Sequence, residues 1–340
     1  MPNVAIVGAT GAVGQELLKI LAERNFPVNE LRLLATKRSA GKIISWQGQK
    51  LEVQETTHES FKGIDIALFA GGSGSTEYAH SAVNSGAVVI DNSSAFRLDP
   101  EVPLVVPEVN PEDVLWHKGI IANPNCSTII MAVALKPIFD LAGIRRVVVS
   151  TYQAVSGAGR EGIEELETQV KAWSRGEELT SNVFPYQIAF NIIPRIDVFQ
   201  EGDYTKEEWK MVRETQKIFH APNMAITATT VRVPVFRSHA ESINVETERL
   251  VSVSEIREAL NKAAGVIVDD DPGNDRYPMP WFSSDKDEVY VGRLRKDFSI
   301  AQGFNLWVAG DQIRKGAATN AVQIAELLLR GSMFVDRGSR

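Results

Sequence analysis

The chain has 340 residues, with 36 basic and 43 acidic side chains, a net charge of −7 and 44% hydrophobic residues, which is enough for about two cored domains. The acidic balance argues against nucleic acid or an anionic membrane as the main partner. One cysteine excludes an intrachain disulfide, and neither a leader nor an apolar run of membrane length is seen, so a soluble cytoplasmic protein in a reducing compartment is expected.

In chain order, Val4-Ala5-Ile6-Val7 reads as a short strand buried on both faces. Gly8-Ala9-Thr10-Gly11-Ala12-Val13-Gly14 follows, then a helical pattern over 15–24. Strand, glycine turn and helix together make a pyrophosphate site, although the spacing is G-x-x-G-x-x-G and an ordinary glycine turn is the alternative. A second strand, Leu31-Arg32-Leu33-Leu34, leads into Ala35-Thr36-Lys37-Arg38-Ser39. An NAD site would carry a carboxylate near that strand end. Two cations and two hydroxyls suit the 2′-phosphate of NADP instead; the alternative is a solvated basic turn. Further strands over 64–70 and 87–90 end in a hydroxyl-rich loop containing Ser73 and in Asp91-Asn92-Ser93-Ser94-Ala95-Phe96-Arg97. This alternation predicts a Rossmann-like, doubly wound parallel sheet over the first ~125 residues, with ligands at the strand carboxyl ends.

The lone cysteine lies in Asn123-Pro124-Asn125-Cys126-Ser127-Thr128, after an apolar run that reads as a buried strand. Asn-Pro-Asn is turn chemistry, and a helix is expected over 127–139. Cys126 would then sit at a helix N-terminus, where amide N–H groups and the dipole stabilise a thiolate. The same donors, with the Asn125 amide, would hold an oxyanion. A lone cysteine is also commonly an inert core residue.

After Cys126 the texture changes. A strand over 145–151, a loop Tyr152-Gln153-Ala154-Val155-Ser156-Gly157-Ala158-Gly159, charged helices over 161–174 and 205–219, and strand-like runs over 227–236, 242–248, 289–294 and 304–308 predict an α+β domain with a mixed sheet covered on one face. Asp269-Asp270-Asp271 lacks the ligand spacing of a calcium loop and reads as a solvated acidic loop, so no metal is expected. The last helix, over 316–329, is expected to return to the first domain. This gives a nucleotide domain of 1–126 with 316–340 and a catalytic and dimerisation domain of 127–315.

A thiolate beside an NADP fold suggests acyl or aldehyde chemistry through a thioester. The general acid/base would most readily be a histidine, and of His58, His80, His117, His220 and His239 the last leads because it follows the run Thr230 to Ser238.

The motifs then combine. The chain resembles the aspartate-β-semialdehyde dehydrogenase family, bacterial form, in the glycine turn at 8–14, the segment 91–97, Asn123-Pro124-Asn125-Cys126-Ser127-Thr128, the loop 152–159, Glu207-Glu208-Trp209-Lys210-Met211, Val231-Arg232-Val233-Pro234-Val235 through His239, Val291-Gly292-Arg293-Leu294-Arg295 and Arg314-Lys315-Gly316-Ala317-Ala318. The resemblance implies NADPH-dependent reduction of L-aspartyl-4-phosphate to L-aspartate-4-semialdehyde, a step feeding lysine/diaminopimelate, threonine, methionine and isoleucine synthesis. It implies Cys126 as nucleophile, His239 as acid/base and Gln153 as the group that orients substrate and thioester. It places Arg97, Asn125 and Lys210 at the phosphoryl group, Arg232 at the α-carboxylate and Glu207 at the α-ammonium, with Glu208 as Glu207's competitor. For NADP it implies Gly8, Thr10, Gly11, Ala12, Val13, Arg38, Ser39, Ser73, Ser156, Gly157 and Asn320. Gln312 is an open position for a cofactor contact. A homodimer is implied as well. The alternatives are N-acetyl-γ-glutamyl-phosphate reductase, whose acylated substrate amine needs no Glu207 anion, and a non-catalytic NADP-binding regulator.

Overall fold

The computed structural model describes residues 1–72 and 74–331. It divides into two compact units, one made of Met1–Asn125 with the chain from Ala317 onward, the other of Cys126–Gly316. Among the described residues no helix is long and apolar enough to cross a membrane.

In the first unit, β1 (Asn3–Val7), β2 (Glu30–Ala35), β3 (Ile43–Trp46), β4 (Gln49–Glu55), β5 (Ile66–Phe69), β6 (Val88–Asp91) and β7 (Ile120–Ala122) form one sheet in the order β3-β4-β2-β1-β5-β6-β7. The strands run parallel, apart from the antiparallel β3–β4 hairpin. The inner strands are buried on both faces, which is why they read as unbroken apolar runs. Helix α1 (Ala12–Glu23) buries Leu17, Ile20 and Leu21 in the same core as Val322, Ile324 and Leu328 of the C-terminal helix Thr319–Arg330. Strand order reverses between β1 and β5, so the carboxyl ends of those two strands form the ligand crevice of such a sheet. The glycine turn leaves β1 there. Helix α2 (Gly74–Asn84) follows β5.

The second unit opens with α3 (Cys126–Ala142), which is apolar almost throughout because it is buried on most sides. It lies on one face of a six-stranded mixed sheet made of β8 (Ile144–Gln153), β9 (Ala225–Arg232), β10 (His239–Thr247), β11 (Val266–Val268), β12 (Val289–Asp297) and β13 (Gly303–Gly310), in the order β11-β12-β13-β10-β8-β9. β8 and β9 are parallel, while β10 is antiparallel to both β8 and β13. Val147, Val149, Ile243, Val245, Leu306 and Val308 fill the covered face. Val148, Ser150, Ser242, Asn244, Asn305 and Trp307 alternate with them and stay half-exposed on the other. Helices α4 (Arg160–Ser174), α5 (Lys206–Ile218), α6 (Val253–Lys262) and the short α7 (Pro280–Ser283) complete the unit.

Four local features differ from the expectations. The hairpin β3–β4 and helix α6 were not expected. β9 ends at Arg232 rather than 236, and Pro234 lies in the turn that follows. The acidic run is also not solvated throughout: the Asp270 side chain is buried, bonded to Arg257 at 2.6 Å and to the Arg293 amide at 2.7 Å.

Candidate active site

Cys126 is the first residue of α3, so its backbone lies at the positive pole of the helix. His239 opens β10 and is fully buried. Its Nε2 lies 3.5 Å from Cys126 Sγ. On the other side of the ring, the Ala154 amide N–H donates to Nδ1 at 3.1 Å. An amide can only donate, so Nδ1 must accept, and the proton of the neutral ring resides on Nε2, facing sulfur. Burial, and then the nearby Arg232 guanidinium, push His239 down to about 3, so it is neutral at pH 7. Gly316 leaves room for the cysteine: a Cβ there would stand 2.9 Å from Cys126 Cβ.

Arg232, at the end of β9, is buried, and its Nη1 donates to the Ala154 carbonyl at 2.6 Å. Burial lowers its pKa, with Glu207 and Cys126 acting against that shift. Gln153 accepts from Thr151 Oγ1 at 3.1 Å and donates to Glu207 Oε1 at 3.2 Å. Lys210 Nζ lies 3.0 Å from Glu207 Oε2 and 3.0 Å from Asp197 Oδ2. Burial alone would lower the Lys210 pKa, but the two carboxylates outweigh it and the net shift is upward. Glu207 and Glu208 do different work. Glu208 closes a capping box: its Oε2 accepts the Thr205 amide at 2.7 Å and its Oε1 the Thr230 amide at 3.0 Å. Both its oxygens are therefore engaged by backbone, whereas Glu207 meets only side chains in these bonds.

The second unit thus brings Cys126, His239, Gln153, Glu207, Lys210 and Arg232 together. Arg97 and Asn125 belong to the first unit, where Arg97 is buried and donates to the Asn123 and Asn92 carbonyls at 2.9 and 2.8 Å.

The first unit also carries the nucleotide candidates apart from Ser156 and Gly157, which lie in the second unit just after β8, and its local geometry fits a dinucleotide. Gly8 holds a φ of +84°, and a Cβ on Gly14 would stand 2.2 Å from the Gly8 carbonyl oxygen, so the third glycine sets how closely α1 meets the turn. Gly11 caps α1 with no side chain, the first turn carries no acid, and the first amides, including those of Ala12 and Val13, have no intrahelical acceptor. Thr10 Oγ1 lies 3.4 Å from Ser39 Oγ, joining the glycine turn to the basic turn after β2. Arg38 is exposed there. A cleft of about 310 Å³ is lined by Gly8, Ala35, Thr36, Lys37 and Gly72. Ser73 lies outside the described residues. Asn320 is fully buried, and its amide donates to Asn123 Oδ1 at 2.7 Å and the Val105 carbonyl at 3.0 Å.

Two family models match the chain: a semialdehyde dehydrogenase NAD binding domain over residues 3–117 and a semialdehyde dehydrogenase dimerisation domain over residues 135–315. The chain is 61% identical to the aspartate-semialdehyde dehydrogenase of Aquifex aeolicus over 98% of its own length and 99% of that protein's. It belongs to the aspartate-semialdehyde dehydrogenase family. Among solved structures, aspartate semialdehyde dehydrogenase II from Vibrio cholerae, complexed with ASA, is 50% identical with a TM-score of 0.94, covering 97% of this chain and 98% of that one. The Candida albicans enzyme with NADP is 27% identical with a TM-score of 0.74, covering 97% and 98%.

Within this aspartate-semialdehyde dehydrogenase family member, three site features lay beyond the sequence reading. Ala154, whose side chain carries no chemistry, orients both His239 and Arg232 through its peptide groups. Gln312 is buried and ties Ser156 Oγ, at 2.5 Å, to the Ser238 amide, at 2.8 Å, which precedes His239. The commitment of Glu208 was legible in principle, because Thr205-Lys206-Glu207-Glu208 is the T-x-x-E capping signature.

Proposed function

We propose that the chain reduces L-aspartyl-4-phosphate to L-aspartate-4-semialdehyde and phosphate with NADPH, through a thioester on Cys126, as an enzyme of amino-acid biosynthesis. The observation that carries this is the Cys126–His239 pair at a helix N-terminus, flanked by Arg232, Glu207 and Lys210. One guanidinium, one carboxylate and one ammonium complement a substrate that bears a carboxylate, an ammonium and a phosphate.

Cys126 Sγ attacks the acyl carbon, the carbon–oxygen bond to phosphate breaks, and phosphate leaves with the bonding electrons. NADPH, when bound, supplies the hydride that reduces the thioester carbon. His239, neutral with its proton on Nε2, donates a hydrogen bond to the oxygen that gains charge; as the carbonyl re-forms and the carbon–sulfur bond breaks, the same Nε2–H turns to the departing thiolate. The first-turn amides of α3 stabilise the same charges. Arg232 already has one N–H anchored on the Ala154 carbonyl, and its fork grips the α-carboxylate. Glu207 takes the α-ammonium and Gln153 orients the acyl group. Lys210 binds the phosphoryl group, to which the Arg97 and Asn125 motifs are assigned too.

For the cofactor, Gly8, Thr10, Gly11, Ala12 and Val13 would cradle the pyrophosphate. Arg38 and Ser39 would meet the 2′-phosphate, and Ser73, Ser156, Gly157 and Asn320 are assigned by motif. The nucleotide domain is proposed as 1–126 with 316–340 and the catalytic and dimerisation domain as 127–315. The half-exposed face of the mixed sheet is proposed to pair with a second copy, giving a cytoplasmic homodimer.

The test is NADPH oxidation with aspartyl phosphate against N-acetylglutamyl phosphate. Preference for the N-acylated substrate would replace this function by the arginine-pathway reductase. Cys126→Ala is expected to abolish turnover while NADPH still binds, and substantial residual activity contradicts the covalent route. Sedimentation showing only a 37.4 kDa monomer at micromolar concentration contradicts the dimer.

A further inference from the structure

Asp197 has no place in the scheme above. It lies in the irregular stretch between α4 and α5, with a φ of +70°, in the left-handed region that few non-glycine residues occupy. One of its carboxylate oxygens accepts the Val198 amide at 2.9 Å, and the other holds Lys210 Nζ at 3.0 Å. Asp197 also lines, with Asn182, Phe184, Arg195 and Arg232, a cavity of about 500 Å³. A carboxylate therefore faces the same space as the Arg232 guanidinium and engages the neighbouring cation.

The charges in the second unit show why this matters. Arg232 and Lys210 lie beside the carboxylates of Glu207 and Asp197, with Arg195 lining the same cavity, and Lys210 itself has two carboxylate partners. When the substrate's ammonium engages Glu207, Asp197 remains as the counter-ion of Lys210. A phosphate dianion arriving at Lys210 meets that carboxylate, and like charges so placed repel. Asp197 is the more exposed of the two partners, with its side chain 30% accessible against 7% for Glu207, so it is the one that water can take over when the contact breaks.

We infer that Asp197 is a displaceable counter-ion that occupies Lys210 until the phosphoryl group takes its place, and so sets the phosphate affinity of the site. The inference rests on the proposed role of Lys210 in phosphate binding. It distinguishes Asp197 from a residue that merely orients Lys210, because the two roles predict opposite effects of removing the charge.

The experiment runs the reaction in the phosphorylating direction, with aspartate semialdehyde, NADP and inorganic phosphate. Asp197→Asn keeps the shape, the tolerance of a positive φ and an acceptor for the Val198 amide. It is expected to lower KM for inorganic phosphate about fivefold, the ratio that corresponds to about 1 kcal/mol. KM for the semialdehyde should stay unchanged, and Asp197→Glu should keep the wild-type phosphate KM. Asp197→Gly, which suits the backbone conformation without a carboxylate, should repeat the result of Asp197→Asn and serves if that variant does not fold. An unchanged or raised phosphate KM in the variants, with wild type active, overturns the inference. A change confined to the semialdehyde KM also overturns it and places Asp197 with Glu207 at the ammonium. A wild type that does not oxidise the semialdehyde overturns the functional reading itself, and the inference falls with it.

Discussion

Replacing Gly157 by alanine tests how tightly the substrate grip is built. Gly157 does not occupy the left-handed region, so alanine fits the backbone, and such a change by itself tends to stabilise by about 0.4–1 kcal/mol. Its Cβ, however, would stand 2.7 Å from Arg232 Nη1, 3.3 Å from His239 Cε1 and 3.4 Å from His239 Nε2. The histidine is held at Nδ1 by the Ala154 amide and is fully buried, so the guanidinium is the group that yields. Moving it breaks the 2.6 Å bond to the Ala154 carbonyl. A hydrogen bond to a charged group contributes about 1.5–3 kcal/mol, which sets the expected loss at roughly tenfold to a hundredfold in kcat/KM for aspartyl phosphate. Steady-state kinetics with each substrate varied in turn reads this directly. The loss should fall mainly on the aspartyl phosphate KM, and the thermal midpoint should drop as well, because the folded chain loses the same bond. Wild-type kcat/KM, or a loss confined to the NADPH KM, would refute the reasoning and return Gly157 to a cofactor contact alone.

Four further outcomes are expected. Glu207→Gln should lower kcat/KM for aspartyl phosphate while relatively sparing an N-acylated analogue. Glu208→Ala should instead destabilise by about 1–3 kcal/mol, seen in urea unfolding, because it leaves the Thr205 and Thr230 amides without their acceptor. Arg38→Ala should raise KM for NADPH roughly tenfold to a hundredfold and leave NADH little changed, since a charged contact contributes about 1.5–3 kcal/mol; equal losses with both cofactors count against the 2′-phosphate role. Glu241 is fully buried, with neither carboxylate oxygen bonded among the described residues, and burial raises its pKa well above the usual carboxyl range. The folded state therefore keeps a proton that the unfolded chain releases, and stability falls as pH rises from the unfolded value of about 4.3 toward the raised one. Glu241→Met should then stabilise by about 1–3 kcal/mol at pH 7, with a gain that shrinks toward pH 4; a pH-independent gain would show that ionisation is not the cause.

The parallel sheet was legible because β1, β5 and β6 are buried on both faces and so carry apolar runs bounded by glycine or polar turns. The β3–β4 hairpin was not, because it lies at the sheet edge with little to bury. Its turn places Gln47 and Gly48 at positive φ, where Asn-Gly would have signalled a hairpin. Helix α6 buries only Ile256 and Leu260, too few for its period to stand out, although Ser252 and Glu255 form a capping box that was there to be read. At the site, residue types and motifs pointed to Cys126 and His239, but their approach spans 113 positions and depends on how β10 pairs with β8. The histidine tautomer was beyond reach of any pattern, since it is set by a main-chain amide whose side chain is a methyl group. The carboxylate at Asp270 read as solvent-facing because a run of three acids usually is, whereas here Arg257 and two amides enclose the middle one.

The residue at 154 has a consequence for any attempt to alter what this enzyme accepts. Its N–H fixes His239, the proposed proton carrier, and its C=O fixes Arg232, the proposed clamp on the carboxylate. Those two groups flank a single Cα, so a rotation of the chain there turns both. A redesign that shifts Arg232 to admit a longer or differently charged substrate would tilt the imidazole in the same stroke. On the proposed roles, recognition and proton transfer are geared together, and a change of substrate has to be sought at side chains that leave this backbone where it is.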